Sequence, residues 1–168
     1  MDFDALWELV QGIQYGFQKD EAAAMLQAVA LRPERVVEVG SMVGGSARLL
    51  ETVAPVLCID PLEQPWMLEN FLKNTTGYRI TLRQAKDTQV FPNWPSDDPI
   101  SFLLIDHGHQ AGETAVSLAG WRPHLAAGAI VAVHDYGGQD WIDVRPETDA
   151  SGLQIFSVVG RLALGKFE

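Results

Sequence analysis

Five short runs rich in Val, Ile, Leu or Phe constrain the fold of this chain more than any other feature of its sequence. Within each run the apolar residues follow one another instead of alternating regularly with polar ones. Strands that are buried on both faces have this pattern, because helices cover both faces of a parallel sheet. The runs are Val36–Val39, Val56–Ile59, Ile80–Leu82, Phe102–Ile105 and Ile130–Val133.

Segments that favour helix separate these runs. One is rich in Ala and Leu and ends before Pro33, and another follows a glycine-rich turn. Alternation of strands and helices at this length predicts right-handed crossovers and a doubly wound α/β sheet. The predicted helices are Glu21–Leu31, Ser46–Thr52, Glu63–Lys73 and Glu113–Trp121.

The tail of the sequence has a different pattern. Leu153–Val159 and Arg161–Lys166 are two strand-like runs on either side of Gly160, which predicts an antiparallel hairpin at the end of the parallel sheet. The 168 residues contain no repeat, low-complexity tract or linker. We therefore expect a single domain, with a helical segment over 1–32 and an α/β core over 33–168.

Composition narrows the classes of partner. The formal net charge is −10, and the twelve Lys and Arg residues form no cluster that could bind phosphate backbones, so we expect no nucleic-acid partner. The amino terminus is acidic, and no apolar stretch approaches the roughly 18 residues of a membrane span. These features predict a cytoplasmic protein with no membrane partner. The single cysteine, Cys58, lies in an apolar run and is expected to be buried and inert.

A glycine-rich turn follows the first run. The segment VVEVGSMVGGS places Gly40 at the end of the predicted strand and Ser46 at the start of a helix. Ligands of such sheets bind outside the carboxyl ends of the strands, and glycine lets backbone N–H groups approach them closely. The turn therefore predicts a nucleotide-like ligand. An ordinary strand–helix turn is the alternative.

The second run ends in an acid, Asp60, twenty positions after Gly40. A carboxylate at this place can accept hydrogen bonds from ribose hydroxyls. The alternative is a solvated Asp before a turn at Pro61. The turn lacks G-x-G-x-x-G and the lysine of a P-loop, which disfavours a pyrophosphate. The pattern favours a ligand with a ribose and a zwitterionic tail.

The pattern E-V-G-x-x-x-G-x-S, with an acid after the second run, resembles the class I S-adenosylmethionine-dependent methyltransferases. It is most similar to small-molecule O-methyltransferases of the catechol and macrolide-sugar types. The resemblance extends from about Gly16 to the carboxyl terminus. It implies a Rossmann-like, doubly wound, mostly parallel sheet of seven strands in the order 3-2-1-4-5-7-6, ending in an antiparallel hairpin.

The resemblance also implies which residues bind S-adenosylmethionine. Glu38 and Gly40 would lie beside its methionine portion, Ser46 would contact its carboxylate, and Asp60 would hold its ribose. Lys86 and Asp87 fall where the family lines the adenine, although both differ from the residues usual there. The remaining predicted cofactor contacts are Ser41, Met42, Gly44, Pro61, Asp106 and His107.

Further polar side chains follow the fourth and fifth runs. Asp106 and the nearby His107 and His109 come after one strand, and His134 and Asp135 end the next. Neighbouring strand ends lie roughly 5 Å apart, so these groups should converge on one crevice. They suggest a divalent metal or acid–base chemistry. The alternatives are that His107 packs on the cofactor and that His134 only satisfies local hydrogen bonds.

By resemblance, Asp106 and Asp135 match positions that hold magnesium in metal-dependent O-methyltransferases, and His134 is the third candidate ligand. The relatives carry a further carboxylate or amide beside the second aspartate, where this chain has His134 and Tyr136. Magnesium prefers oxygen ligands. The site therefore keeps more waters, takes a softer metal, or holds none.

His109 matches the catalytic base of the family, and His107 a histidine near the adenine. A neutral imidazole with a pKa near its usual value of about 6.5 can accept a hydroxyl proton at physiological pH. The predicted reaction is transfer of the sulfonium methyl group to a hydroxyl of a small molecule, with His109, Asp106 and Asp135 as catalytic residues.

Two other functions are compatible with such a sheet. A nucleotide-dependent oxidoreductase is disfavoured by the missing G-x-G-x-x-G. A cofactor-binding protein that is inactive, or active only with a partner, is compatible with the polar, turn-rich segment Gly137–Ala150.

Several aromatic residues are candidates for the acceptor pocket or for an interface. Trp66, Trp94 and Trp141 either line an aromatic acceptor pocket or pack in the core. Trp7 and Phe17 either close the site or form a homodimer surface.

Overall fold

A computed structural model describes residues 2–13, 16–107 and 110–168. Seven strands within these ranges form one sheet. They are β1 (Val36–Val39), β2 (Val56–Ile59), β3 (Ile80–Arg83), β4 (Ile100–Ile105), β5 (Leu125–Val133), β6 (Gln154–Val159) and β7 (Leu162–Lys166). The helices are α1 (Phe3–Val10), α2 (Lys19–Leu31), α3 (Gly45–Glu51), α4 (Pro65–Thr75), α5 (Asp87–Val90), α6 (Glu113–Trp121) and α7 (Val144–Ala150).

The strand order is β3-β2-β1-β4-β5-β7-β6. β1 pairs in parallel with both β2 and β4, and the order reverses at this point. β7 pairs antiparallel with β5 and with β6, which makes the last two strands a hairpin. The predicted fold class, strand order and hairpin are confirmed. The site predicted at the carboxyl ends of the strands lies beside this reversal, where open α/β sheets bind ligands.

The sheet has a hydrophobic core on each face, because successive side chains of a strand point to opposite faces. On β1, Val36 belongs to the core that α1, α2, α3 and α4 cover. Val37 and Val39 belong to the core that α5, α6 and α7 cover. The continuous apolar run of β4 fills both layers, whereas β3, at the edge of the sheet, alternates between half-buried and exposed residues and is not buried on both faces as predicted. None of the helices in the described ranges is long and apolar enough to cross a membrane.

Several element boundaries differ from the predicted ones. α2 begins at Lys19, two residues early, because Gln18 and Glu21 form a capping box there. α4 begins at Pro65 and not at Glu63, since proline is suited to the first turn of a helix. β5 begins at Leu125, earlier than the predicted run.

The polar segment 137–150 contains a helix that sequence reasoning missed. α7 buries Val144 and Thr148 against the rest of the fold. Its Glu147 side chain accepts hydrogen bonds from the backbone N–H groups of Gly112 and Ala115, at the start of α6. A carboxylate at this place satisfies N–H groups that have no partner within the helix. α7 is thus held by capping a neighbouring helix.

Candidate active site

The turn between β1 and α3 passes against the end of β4. Gly40 has a φ of 87°, and a Cβ at this position would lie 1.9 Å from the backbone oxygen of Asp106. Only glycine satisfies both conditions. Met42 and Gly44 also have positive φ values, 46° and 85°. The predicted glycine turn is therefore a close approach between two strand ends.

Asp60 holds this turn through its carboxylate. Oδ2 accepts hydrogen bonds from the backbone N–H groups of Ser41 (2.7 Å) and Met42 (2.9 Å), and Oδ1 accepts one from Leu62 (2.8 Å). The side chain is buried, so it is not a solvated turn residue. A carboxylate has about four lone-pair positions, and these bonds occupy three of them. One position is left for a further hydrogen-bond donor.

Glu38 is a fully buried acid beneath the turn. The Sγ of Cys58 lies 3.2 Å from its Oε2. Burial raises the pKa of Glu38 to about 7, against the opposing effect of the Ser46, Cys58 and Ser41 side chains. Burial also raises the pKa of Cys58, so this buried thiol is not a ready nucleophile.

Two cavities open beside the turn and share Gly40, Met42 and Asp106 as a common wall. The larger, of about 800 Å³, is also lined by the predicted cofactor residues Asp60, Pro61, Lys86, Asp87 and His107. The smaller, of about 320 Å³, is also lined by the predicted residues Ser41, Ser46, His134 and Asp135. Glu38 and Gly44 are not among the residues that line either cavity.

A chain of polar side chains crosses the wall of the larger cavity. The Ser117 hydroxyl donates a hydrogen bond to Asp87, and His107 Nε2 lies 2.8 Å from the same hydroxyl oxygen. Because that hydroxyl already donates its single O–H to Asp87, His107 Nε2 is the donor in the second bond. Ser117 was not predicted; its place in the helix after β4 is the only sequence signal for it.

The strand ends of β4 and β5 bring together the predicted metal ligands. Nδ1 of His134 lies 3.1 Å from Oδ1 of Asp106 and 3.6 Å from Oδ2 of Asp135. One ligand atom from each of the three residues lies within 4.8 Å of the others, a grouping that could hold a cation. His109, the predicted base, lies outside the described residues, and its role stays a prediction.

His134 also contacts residues that sequence reasoning missed. Its Nε2 lies 3.4 Å from Oε2 of Glu21 in α2, and its ring stacks on Phe17 with 4.1 Å between centroids. Burial lowers the pKa of His134, but the hydrogen bonds and charges of Asp106 and Asp135 outweigh burial and raise it to about 10. The two carboxylates therefore favour the protonated form of the ring.

Arg161, in the turn between β6 and β7, joins the same cluster. Its Nη1 lies 3.0 Å from Oδ1 of Asp135, and its backbone N–H donates a 2.6 Å hydrogen bond to Oε1 of Glu21. Gly160 precedes it with a φ of 56°, and a Cβ there would lie 2.4 Å from the same Glu21 oxygen. Glycine at the hairpin turn thus lets Glu21 enter the site. No local pattern marks Glu21 or Arg161, because α2 and the hairpin are far apart in sequence.

The tryptophans occupy three different environments. Trp141 lines the smaller cavity. Trp94 is a core residue, and its indole N–H donates to the backbone oxygen of Asp98. Trp66 is half exposed and is not among the residues that line either cavity. Among these three residues, the aromatic lining of a candidate acceptor pocket is therefore Trp141.

The strand order, the turn after β1 and the cavity at the strand ends define a Rossmann-like cofactor-binding fold. A family model described as a methyltransferase domain matches residues 37–136, more than half of the chain. The chain therefore belongs to this family, and it is a class I S-adenosylmethionine-dependent methyltransferase, as the sequence motifs predict. A comparison with curated proteins finds no match in sequence.

Solved structures share the fold at low sequence identity. A Klebsiella pneumoniae protein assigned provisionally to the O-methyltransferases has a TM-score of 0.77 at 14% identity, over 99% of this chain and 89% of that chain. CalS11, a TDP-rhamnose 3′-O-methyltransferase of calicheamicin biosynthesis, has a TM-score of 0.68 at 13% identity, over 98% of this chain and 92% of that chain. Aeropyrum pernix fibrillarin, with natively bound S-adenosyl-L-methionine, has a TM-score of 0.63 at 13% identity, over 87% of this chain and 75% of that chain.

Proposed function

We propose that this protein transfers the methyl group of S-adenosylmethionine to a hydroxyl of a small molecule. The observation that carries the proposal is the common wall of the two cavities, formed by Gly40, Met42 and Asp106. A cofactor whose adenosine fills the larger cavity would have its sulfonium at this wall. The methyl group would then face the smaller cavity, where the acceptor binds.

The polar residues around the wall suit the parts of the cofactor. Ser46, which lines the smaller cavity, would contact the carboxylate of methionine, and the buried Glu38 would support the turn from beneath. Asp60 would accept a hydrogen bond from one ribose hydroxyl at its remaining lone-pair position. Asp87, fixed by Ser117, would face the adenine. Each of these contacts is part of the proposal.

The smaller cavity suits the hydroxyl of an acceptor. Its carboxylates, Asp106 and Asp135, can accept a hydrogen bond from the hydroxyl and orient the oxygen for in-line attack. The oxygen forms a bond to the methyl carbon while the carbon–sulfur bond breaks, and S-adenosylhomocysteine leaves. The hydroxyl proton passes to a base, for which His109 is the candidate. CalS11, a structural neighbour, is named for methylation of a sugar hydroxyl.

The acceptor is a small molecule in this proposal because the cavity has a volume of only about 320 Å³ and the net charge is −10. A negatively charged protein has no general attraction for phosphate backbones. Trp141, at the rim of the cavity, offers an apolar surface to a ring of the acceptor. Sugars and phenols both have this combination of a ring and a hydroxyl.

The test has a binding part and a turnover part. In calorimetry, S-adenosylhomocysteine should bind to the full chain, whereas NADH should not. With S-adenosylmethionine and a panel of phenols and sugars, mass spectrometry should find a methylated product and one S-adenosylhomocysteine for each product. Asp135→Asn should lower turnover while it keeps cofactor binding.

Two results would contradict the proposal. If S-adenosylhomocysteine does not bind, the proposed cofactor site is wrong. Binding without methylation of any hydroxyl on the panel would instead favour a cofactor-binding protein that is not itself an O-methyltransferase.

A further inference from the structure

The position of His134 is typical of a histidine that ligates a metal. Its Nδ1 points to the two aspartates, Asp106 and Asp135, at 3.1 and 3.6 Å. Its Nε2, on the opposite side of the ring, faces the buried Glu21 carboxylate at 3.4 Å. A ligating histidine usually donates its other ring N–H to a carboxylate, which fixes both the tautomer and the orientation of the ring.

The surroundings hold this orientation from several sides. The Phe17 ring stacks on the His134 ring with an angle of 19° between the planes. Glu21 is itself fixed, since the backbone N–H groups of Gln18 and Arg161 both donate to its carboxylate. A buried carboxylate with these bonds cannot turn away from Nε2. The Nδ1 lone pair is therefore the one that can be offered toward the aspartates.

Asp135, which follows β5, has an orienting partner as well. Oδ1 of Asp135 accepts a hydrogen bond from Arg161, while Oδ2 is the oxygen nearest to His134. Carboxylates that bind metals are commonly hydrogen-bonded in this way through the oxygen that does not bind. Asp106, His134 and Asp135 thus fit a divalent cation, with two oxygen ligands and one nitrogen ligand.

The nitrogen ligand determines which cation fits best. Magnesium demands oxygen ligands, whereas imidazole suits first-row transition metals. We propose that Glu21 holds His134 as a nitrogen ligand beside Asp106 and Asp135, so that this site selects a first-row transition-metal dication over Mg²⁺. This inference rests on the proposed acceptor site, because the cation would lie where the acceptor hydroxyl binds. Cation binding can be measured without turnover.

The first measurement compares two cations on the full chain loaded with S-adenosylhomocysteine. Co²⁺ serves as the probe because it accepts imidazole nitrogen and its visible absorption reports its ligands. We expect calorimetry to show tighter binding of Co²⁺ than of Mg²⁺. Equal binding of the two cations, or no Co²⁺ binding with a dissociation constant below about 1 mM, would overturn the inference. The heat of S-adenosylhomocysteine binding tests the proposed function separately.

The second measurement tests Glu21 as a positioning residue. Glu21→Gln should weaken Co²⁺ binding about 10- to 100-fold, the usual effect of losing such a partner, and change Mg²⁺ binding much less. A general distortion of the site would weaken both cations equally, and that result would overturn the role of Glu21. Glu51→Gln is the matched control, because Glu51 pairs with Arg79 on another part of the surface.

A third measurement needs no variant and covers the case in which Glu21→Gln does not fold. Co²⁺ is paramagnetic, so it shifts the NMR signals of a ring that binds it. The His134 signals should move on addition of Co²⁺, while those of His124, at the opposite end of β5, stay in place. If the His134 signals do not move, the nitrogen ligand is excluded.

Discussion

The Cα of Gly40 lies so close to the backbone carbonyl of Asp106 that a Cβ on residue 40 would be 1.9 Å from its oxygen. The two residues directly follow neighbouring strands, and both line the two cavities. The contact therefore fixes the distance between the glycine turn and the carboxylates of the second cluster. Any side chain at residue 40 must separate the two parts of the site.

Gly40→Ala should destabilise the protein by more than about 1 kcal/mol and weaken S-adenosylhomocysteine binding. The substitution combines a positive φ with a backbone clash, and the clash cannot be relieved by a change of rotamer. Urea unfolding and calorimetry measure the two effects. Gly77→Ala is the matched control, because Gly77 has a φ of 89° but open space around it. Equal losses in the two variants would show that the clash is unimportant.

Asp60→Asn should lower the free energy of unfolding by about 1.5–3 kcal/mol even without cofactor. An amide cannot accept all three of the backbone hydrogen bonds that the carboxylate accepts, and bonds to a charged group are the stronger kind. Urea unfolding of the cofactor-free protein measures this. The exposed Asp97→Asn should stay within about 0.5 kcal/mol of the parent. A stable Asp60→Asn variant that only loses cofactor affinity would limit Asp60 to ribose binding.

Stability should fall as the pH rises from about 4.5 to about 7, because of Glu38. Burial raises its pKa in the folded state, so in this window the folded chain keeps a proton that the unfolded chain has released. The loss is about 3 kcal/mol at most. Urea unfolding of the parent and of Glu38→Gln, at several pH values, measures it as a difference.

The difference in stability between the parent and Glu38→Gln should therefore change across that window and level off above it. The exposed Glu69→Gln is the control, for which the difference from the parent should be flat. A flat difference for Glu38→Gln as well would mean that Glu38 titrates normally in the folded protein.

His109→Ala should lower turnover about 10²- to 10⁴-fold, the usual contribution of a general base, and leave S-adenosylhomocysteine affinity nearly unchanged. Steady-state kinetics with an acceptor that the parent protein methylates gives the turnover, and calorimetry gives the affinity for S-adenosylhomocysteine. His124→Ala, in the turn before β5, should keep full turnover. A large loss of cofactor affinity in His109→Ala would assign the residue to binding and not to proton transfer.

The local sequence was sufficient for the sheet and for the residues at the strand ends. Runs such as Val36–Val39 are typical of strands in a parallel sheet that is covered on both faces, and their ends indicate which residues end the strands. The positions of Asp106 and Asp135 could then be predicted, because residues at the carboxyl ends of the strands lie at the edge where ligands bind. The strand order came from the family resemblance and is confirmed.

Features that depend on distant contacts could not be predicted in this way. Glu21 appeared to be an ordinary residue in the first turn of a helix, and its role depends on a hairpin that follows much later. The backbone hydrogen bonds that Asp60 accepts from Ser41 and Met42 were not predicted, because they depend on the conformation of a turn that follows a different strand. The helix α7, which contains Val144, could not be predicted from its polar sequence. It has no strong apolar stripe, and its Glu147 side chain holds it in place by capping α6.

The hydrogen bond between Arg161 and Glu21 joins residues 140 positions apart in the chain. During synthesis on a ribosome, the β1 turn and the first four strands emerge well before the hairpin that carries Arg161. Until then the Glu21 carboxylate lacks the hydrogen bond from the Arg161 backbone, and the cluster around His134 is incomplete. The residues that line the larger cavity all precede the hairpin in the chain, whereas the smaller cavity is complete only once Arg161 has been added.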